Sequence, residues 1–314
     1  MKRLILTLGC VVALVIAFIY AKDNNFFRKV KEKPVPLITF DIQQSVSVGI
    51  KTNKTDIVLT RTSKDQPWTF DQPKGIPASS DAVNYWLSDY VRLENIGKVS
   101  DTDQDLATFG LVRPVGSFYV ALSDGTKHTL LLGDELPTST EMYAKWAEQP
   151  GIFKIGPKDA HRLDKSVFDL SDKAPVHLKF ERVTNASLSW RGISWTIQKT
   201  KDAKSVFDTK WKVNDQTNVE YVVAAEIIGK VAFLSTAESL IPIDQYEPKT
   251  APDLSFMLTQ ANADGSEKDV KSYTGYSDGE GNTILHEKDG AFWYKIKDYA
   301  IKDAANQPFQ GMTE

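Results

Sequence analysis

The chain of 314 residues holds one cysteine, Cys10, so no disulfide can form within it and cysteine usage says nothing of redox compartment. Histidine is nearly as scarce: His128, His161, His177 and His286 are the four, and no two stand at a metal-ligand spacing on one element. There is no H-E-x-x-H and no C-x-x-C, and no thiol nucleophile outside the amino-terminal apolar run. A phosphate-cradling loop is missing too, since the "GEG" at 279–281 neither reaches a third glycine nor opens a helical pattern. "SVSVG", 45–49, lacks the leading glycine of a nucleophile elbow and sits in a strand-like run. A net charge of −3 offers no basic face, so nucleic acid is not expected as a partner. The residues therefore support no catalytic, cofactor-binding or metal assignment. No cofactor is expected, and the chain reads as a non-enzyme.

Two acidic stretches fail a closer test. "DTDQD", 101–105, starts like a calcium loop, but the positions that require Gly and Glu hold Leu106 and Val112. It reads as a solvated acidic turn capping the next short helix. "DGEGN", 278–282, has Thr283 where the loop glycine belongs and reads as a Gly-rich hairpin loop.

What is present is a globular composition, 41% hydrophobic and 25% charged, on a chain long enough for two domains. Residues 4–21 run for 18 positions without a charge after Lys2 and Arg3. As a helix this segment is about 27 Å long, just enough to cross the hydrocarbon of a bilayer. It is expected to be a transmembrane anchor, with a signal peptide cleaved near Ala21 as the competing reading. Cys10 is a poor lipoprotein cysteine, because the apolar run continues past it. Lys22, Arg28, Lys29, Lys31 and Lys33 follow the run, and a literal positive-inside count would keep the body in the cytoplasm. The short basic tail before a first hydrophobic segment is the ordinary export shape, which favours an extracytoplasmic (periplasmic) body on an inner membrane.

The body repeats itself. "FKIGPKDA" at 153–160 returns as "YKIKDYA" at 294–300, and the spacing holds elsewhere. Phe40 and Phe180, Val48 and Leu188, and Ala160 and Ala300 are 140 apart, Trp68 and Trp211 are 143 apart, and Pro114 and Pro252 are 138 apart. Gly133 with Gly275 and Tyr143 with Leu285 stand at 142, Lys154 with Lys295 at 141, and Gly125 with Gly265 at 140. Segments 1–21 (anchor or signal), 22–36 (linker), 37–175 (first module) and 176–314 (second module) follow from this.

Each module is expected to be α+β, an antiparallel sheet with one helix packed on it. In the first helix Ser79 or Ser80 is the N-cap, and Val83, Trp86, Leu87 and Tyr90 fall at i, i+3, i+4 and i+7. In the second, Thr217 with Glu220 has the capping-box pattern, followed by a stripe of Val219, Val222, Val223 and Ile227. Asp124-Gly125 and Asp264-Gly265 read as hairpin turns at matching places.

"DLATFGLVRP", 105–114, then an "LLLGDE" element ending at Glu135 and "MYAKWAEQPGIFKI" at 142–155, carry a resemblance. They are similar to a widespread bacterial domain of unknown function, typically membrane-anchored. Trp68, Phe109-Gly110-Leu111, Pro114, Gly133-Asp134, Tyr143 and Phe153 match its progression, with Phe109 where Tyr is usual. The likeness covers roughly 65–175, and "QYEPKTAP", 245–252, keeps only an aromatic and a proline. Members of that family are often encoded beside, or fused to, auxiliary components of gliding-motility-type ABC transporters. The resemblance thus implies an accessory role at a membrane complex, with ABC permease and ATPase subunits as partners and no catalytic residues to carry over. An envelope hydrolase using Asp101, Asp103 or Asp134 is the alternative, and a structural spacer the third reading.

Overall fold

The computed structural model describes residues 35–137, 140–201, 205–215, 217–262 and 268–309, with Phe18 and Tyr20 besides. The rest of the anchor run, most of the 22–36 linker and the Asp264-Gly265 turn lie outside the described residues. Among the described residues no helix is long and apolar enough to cross a membrane. The body is α+β, with two antiparallel sheets and few helices.

After β1 (Val35–Pro36) come β2 (Ser45–Thr52), β3 (Asp56–Thr60), β4 (Thr69–Gln72) and the helix α1 (Ser80–Val91). β5 (Glu94–Asn95) pairs with β1, and β6 (Gly97–Ser100) leads to a 3-10 turn at Leu106–Phe109. Then follow β7 (Gly116–Leu122), β8 (Lys127–Glu135), β9 (Met142–Trp146), β10 (Ile152–Ile155) and the short helices α2 (Pro157–Leu163) and α3 (Val167–Leu170). The first sheet has the order β4-β3-β2-β7-β8-β9-β10-β6.

The second stretch begins with β11 (Val183–Trp190), β12 (Ile193–Lys201), β13 (Lys210–Val213), β14 (Thr217–Glu220) and α4 (Tyr221–Ala232). It continues through β15 (Ile241–Pro242), β16 (Leu254–Ala261), β17 (Lys268–Ser277), β18 (Asn282–Glu287), β19 (Phe292–Lys297) and α5 (Asp298–Asn306). Its sheet reads β14-β13-β12-β11-β16-β17-β18-β19-β15. Without the added edge strand β14, this is the order of the first sheet, strand for strand. The first three strands run outward from the centre toward one edge. The short strand after the helix closes the far edge, and four more strands fill the gap between.

Alternation explains which way the strands face. Phe118, Val120 and Leu122 of β7 are buried between half-buried neighbours, and Leu254, Phe256 and Leu258 of β16 are buried around exposed Ser255 and Met257, as a period of two requires when one face is covered. Ladder register refines the repeat. Lys154 lies opposite Tyr143 and Lys295 opposite Ile284, so Tyr143 corresponds to Ile284, one residue short of Leu285. In the same ladders Leu132 faces Ala144 while Gly275 faces Leu285, so Gly275 corresponds to Leu132. Gly133 falls in the β8 irregularity between Leu132 and Glu135.

In contact terms the chain forms two compact units. One takes residues 1–56, 62–64 and 85–164, as far as they are described, and the other 57–61, 65–84 and 165–314.

α1 forms as its spacing indicates. The Ser79 hydroxyl accepts from Ala82 N at 3.2 Å, and Val83, Trp86, Leu87 and Tyr90 are each at most 1% exposed. α4 departs from expectation. Thr217–Glu220 is strand, paired with β13 from Lys210↔Glu220 to Val213↔Thr217, so no capping box forms and Glu220 makes no side-chain cap bond. Extended backbone through residue 220 resets the phase of the helix. Its buried stripe is Ala224, Ile227, Ile228 and Val231, and Val222 and Val223 face outward. Asp105 also differs: it precedes the short 3-10 turn with a left-handed φ of 58° but caps nothing through its side chain.

One indole device recurs. Trp86 Nε1 donates to the Leu163 carbonyl at 3.0 Å at the end of α2, and Trp195 Nε1 to the Ala304 carbonyl at 3.2 Å in α5. These two core tryptophans are thereby tied to the helices that follow β10 and β19.

Candidate functional site

Six of the motif residues, Phe109, Gly110, Leu111, Gly133, Asp134 and Tyr143, converge on a single crossing. Gly110 has a φ of +70°, and a Cβ on it would stand 2.7 Å from Asp134 N. At Gly133 a Cβ would run into the Phe109 carbonyl oxygen, with the Leu111 side chain 3.1 Å away. The Phe109 ring meets Tyr143 of β9 edge-on, with centroids 4.8 Å apart. Phe109-Gly110-Leu111, Gly133-Asp134 and Tyr143 therefore lock the 3-10 turn onto β8 and β9. Their arrangement is one of packing.

The acids weighed as catalysts are each engaged with other groups. Asp103 accepts from Lys145 Nζ at 2.8 Å and from Gly151 N at 3.1 Å. The Lys145 bond above all, and then the Gly151 amide, hold the Asp103 carboxyl below the usual carboxylate range. Asp101 pairs with Lys98, and Asp134 packs beside Gly110. Among the described residues no group of three or more His, Cys, Asp or Glu side chains is placed to hold a metal ion.

A pocket of about 350 Å³ opens at one end of the first sheet, where β2 and β9 meet the start of α2. Buried Phe118 and Leu132 supply its apolar part, and exposed Lys54, Glu135, His161 and Asp164 its polar part. Asp101, Asp103 and Asp134 are absent from its lining.

In the second unit, the corresponding end of the sheet carries an ion network. Arg191 and Gly192 form the β11–β12 turn with φ values of 46° and 87°, a left-handed pair that an arginine adopts only at a cost. Arg191 Nε donates to Asp253 Oδ2 at 2.8 Å, Nη1 pairs with Asp298 Oδ2 at 2.7 Å, and Nη2 donates to Ser277 Oγ at 3.3 Å. The Thr283 hydroxyl donates to Asp298 Oδ1 at 2.8 Å, and the guanidinium lies 4.7 Å from the Trp190 ring. Beside it, burial pushes the Asp278 carboxyl up, but donors from Glu280 N and Asn282, with nearby Lys295, outweigh it and hold the group low. Sequence reasoning missed this network. Its signal was an Arg-Gly turn between two strands, with aspartates just before β16 and just after β19.

The second unit also has an open groove of about 1160 Å³ along α4 and α5. Phe233 is 86% exposed, Tyr299 75% and Val222 61%, and Lys230 Nζ reaches Asp303 at 2.6 Å across it.

No curated protein and no solved structure matches the chain. A family model described as a domain of unknown function, DUF4340, matches residues 68–253. The match begins at Trp68, just before β4, and runs on to Asp253, just before β16, further than the stretch that carried the resemblance. It takes in more than half of the chain, and the protein belongs to the DUF4340 family.

Proposed function

We propose that this protein is a non-catalytic accessory element of an ABC-type transport or envelope complex, held at a membrane by residues 4–21 with its body on the extracytoplasmic side. The carrying observation is that uncharged run of 18 residues, long enough to cross a bilayer core, ahead of a body whose family motif is spent on packing. The groove along α4 and α5 lends support, since exposed Phe233, Tyr299 and Val222 make an apolar surface of the kind that marks contact with other proteins. The two sheets are read as two copies of one module, which the shared strand order and the spacings near 140 residues favour.

Purification of the full chain from mild detergent, with mass spectrometry of what accompanies it, tests the proposal. ABC permease and ATPase subunits are expected to come with it, and to be lost when residues 1–21 are replaced by a cleavable signal. Recovery of the protein alone in both forms would overturn the reading.

A further inference from the structure

We propose that the pocket of the first sheet binds an alkyl-guanidinium or alkyl-ammonium group, in the space that the second sheet fills with its own Arg191. The inference stands apart from the assembly reading and rests on register. Thr52↔Gly116 and Trp190↔Leu254 are the last pairs of the β2–β7 and β11–β16 ladders. The next residue along each hairpin is Asn53 in one sheet and Arg191 in the other. The residue before the partner strand is Val115 in one and Asp253 in the other. Glu135↔Met142 in the first sheet stands where Ser277↔Thr283 does in the second, because Met142 lies opposite Ile155 and Thr283 opposite Ile296. Pro157 and Asp298 open the helices that follow.

All five members of the ion network thus have a counterpart, and Asn53, Val115, Glu135, Met142 and Pro157 all line the pocket. The exchanges have a chemical direction. Arg191, which fills the space, becomes the shorter Asn53. The two carboxylates that hold it become Val115 and Pro157, and Thr283 becomes Met142. The space is left open and walled for a methylene stem by Val115, Met142, Phe118 and Leu132. The one exchange that adds charge sets the Glu135 carboxylate where Ser277 meets the outer nitrogen of Arg191. Asp164 adds a second acid and Lys54 offsets one of the two, so the lining keeps a net negative charge that selects a cation.

The full chain in detergent, labelled with ¹³C at its methionine methyls, gives a direct readout through Met142. n-Butylguanidinium is expected to shift that resonance saturably at millimolar concentration, and neutral n-pentanol to leave it in place. Glu135→Gln is expected to weaken binding about tenfold, the effect of losing one charged hydrogen-bond partner. Asn53→Arg with Val115→Asp, which rebuilds the second-sheet plug, is expected to abolish it. Capped Ala-Arg-Ala binding at least tenfold tighter than n-butylguanidinium would assign the cation to a partner protein's arginine, and equal binding would assign it to a small amine. No shift with n-butylguanidinium, an equal shift with n-pentanol, or unchanged affinity in Glu135→Gln would overturn the proposal.

Discussion

At Gly133 a single methyl group has nowhere to go, because the Phe109 carbonyl and the Leu111 side chain already occupy the space. Gly133→Ala is expected to destabilise the fold by about 1–3 kcal/mol, the usual cost of overpacking, measured as a shift in the urea midpoint at unchanged slope. Wild-type stability in that variant would mean the 3-10 turn is free to move off β8. Asp103 gives a pH test. Its carboxyl ionises at lower pH in the folded chain than in the unfolded one. The bond to Lys145 therefore contributes stability above the unfolded value, and that contribution is lost as pH falls through the folded one. Melting temperature followed from neutral to acidic pH is expected to fall less steeply in Asp103→Asn than in wild type. The variant is also less stable at neutral pH, since Lys145, only 6% exposed, loses its partner.

Among the elements, α1 and α4 show what a pattern can and cannot say. α1 was legible because a serine cap and four apolar residues at helical spacing leave one arrangement that buries them all. "TNVEYVV" at 217–223 was not, because β-branched residues suit a strand and a helix alike, and pairing with β13 claims Thr217–Glu220 first. Two substitutions read the phase of α4. Ile228→Ala is expected to cost about 2–5 kcal/mol, whereas Val222→Ser stays within about 0.5 kcal/mol in equilibrium unfolding. Equal losses would restore the stripe that spacing suggested. The Arg191 network was out of reach for a different reason. Its partners lie 62 residues on, at Asp253, and 107 residues on, at Asp298, and only the sheet brings them to one end.

For the whole molecule, the repeated strand order makes a prediction about amide exchange. β2 and β7 in one sheet, and β11 and β16 in the other, have hydrogen-bonded neighbours on both sides. They are expected to exchange slowest by mass spectrometry, and the short outer strands β4, β6, β14 and β15 fastest. Edges as protected as the centres would show that the sheets do not open from their rims. The spacing of fold-forming residues anticipated the shared strand order, but its register drifts by a residue where β8 carries its irregularity.

All seven tryptophans, Trp68, Trp86, Trp146, Trp190, Trp195, Trp211 and Trp293, are buried, none more than 8% exposed. Dry indoles fluoresce at the blue end of their range, and exposure to water on unfolding moves the whole emission toward the red. The protein thus carries its own optical gauge in both sheets, and the unfolding experiments above can be followed by light, with no label added.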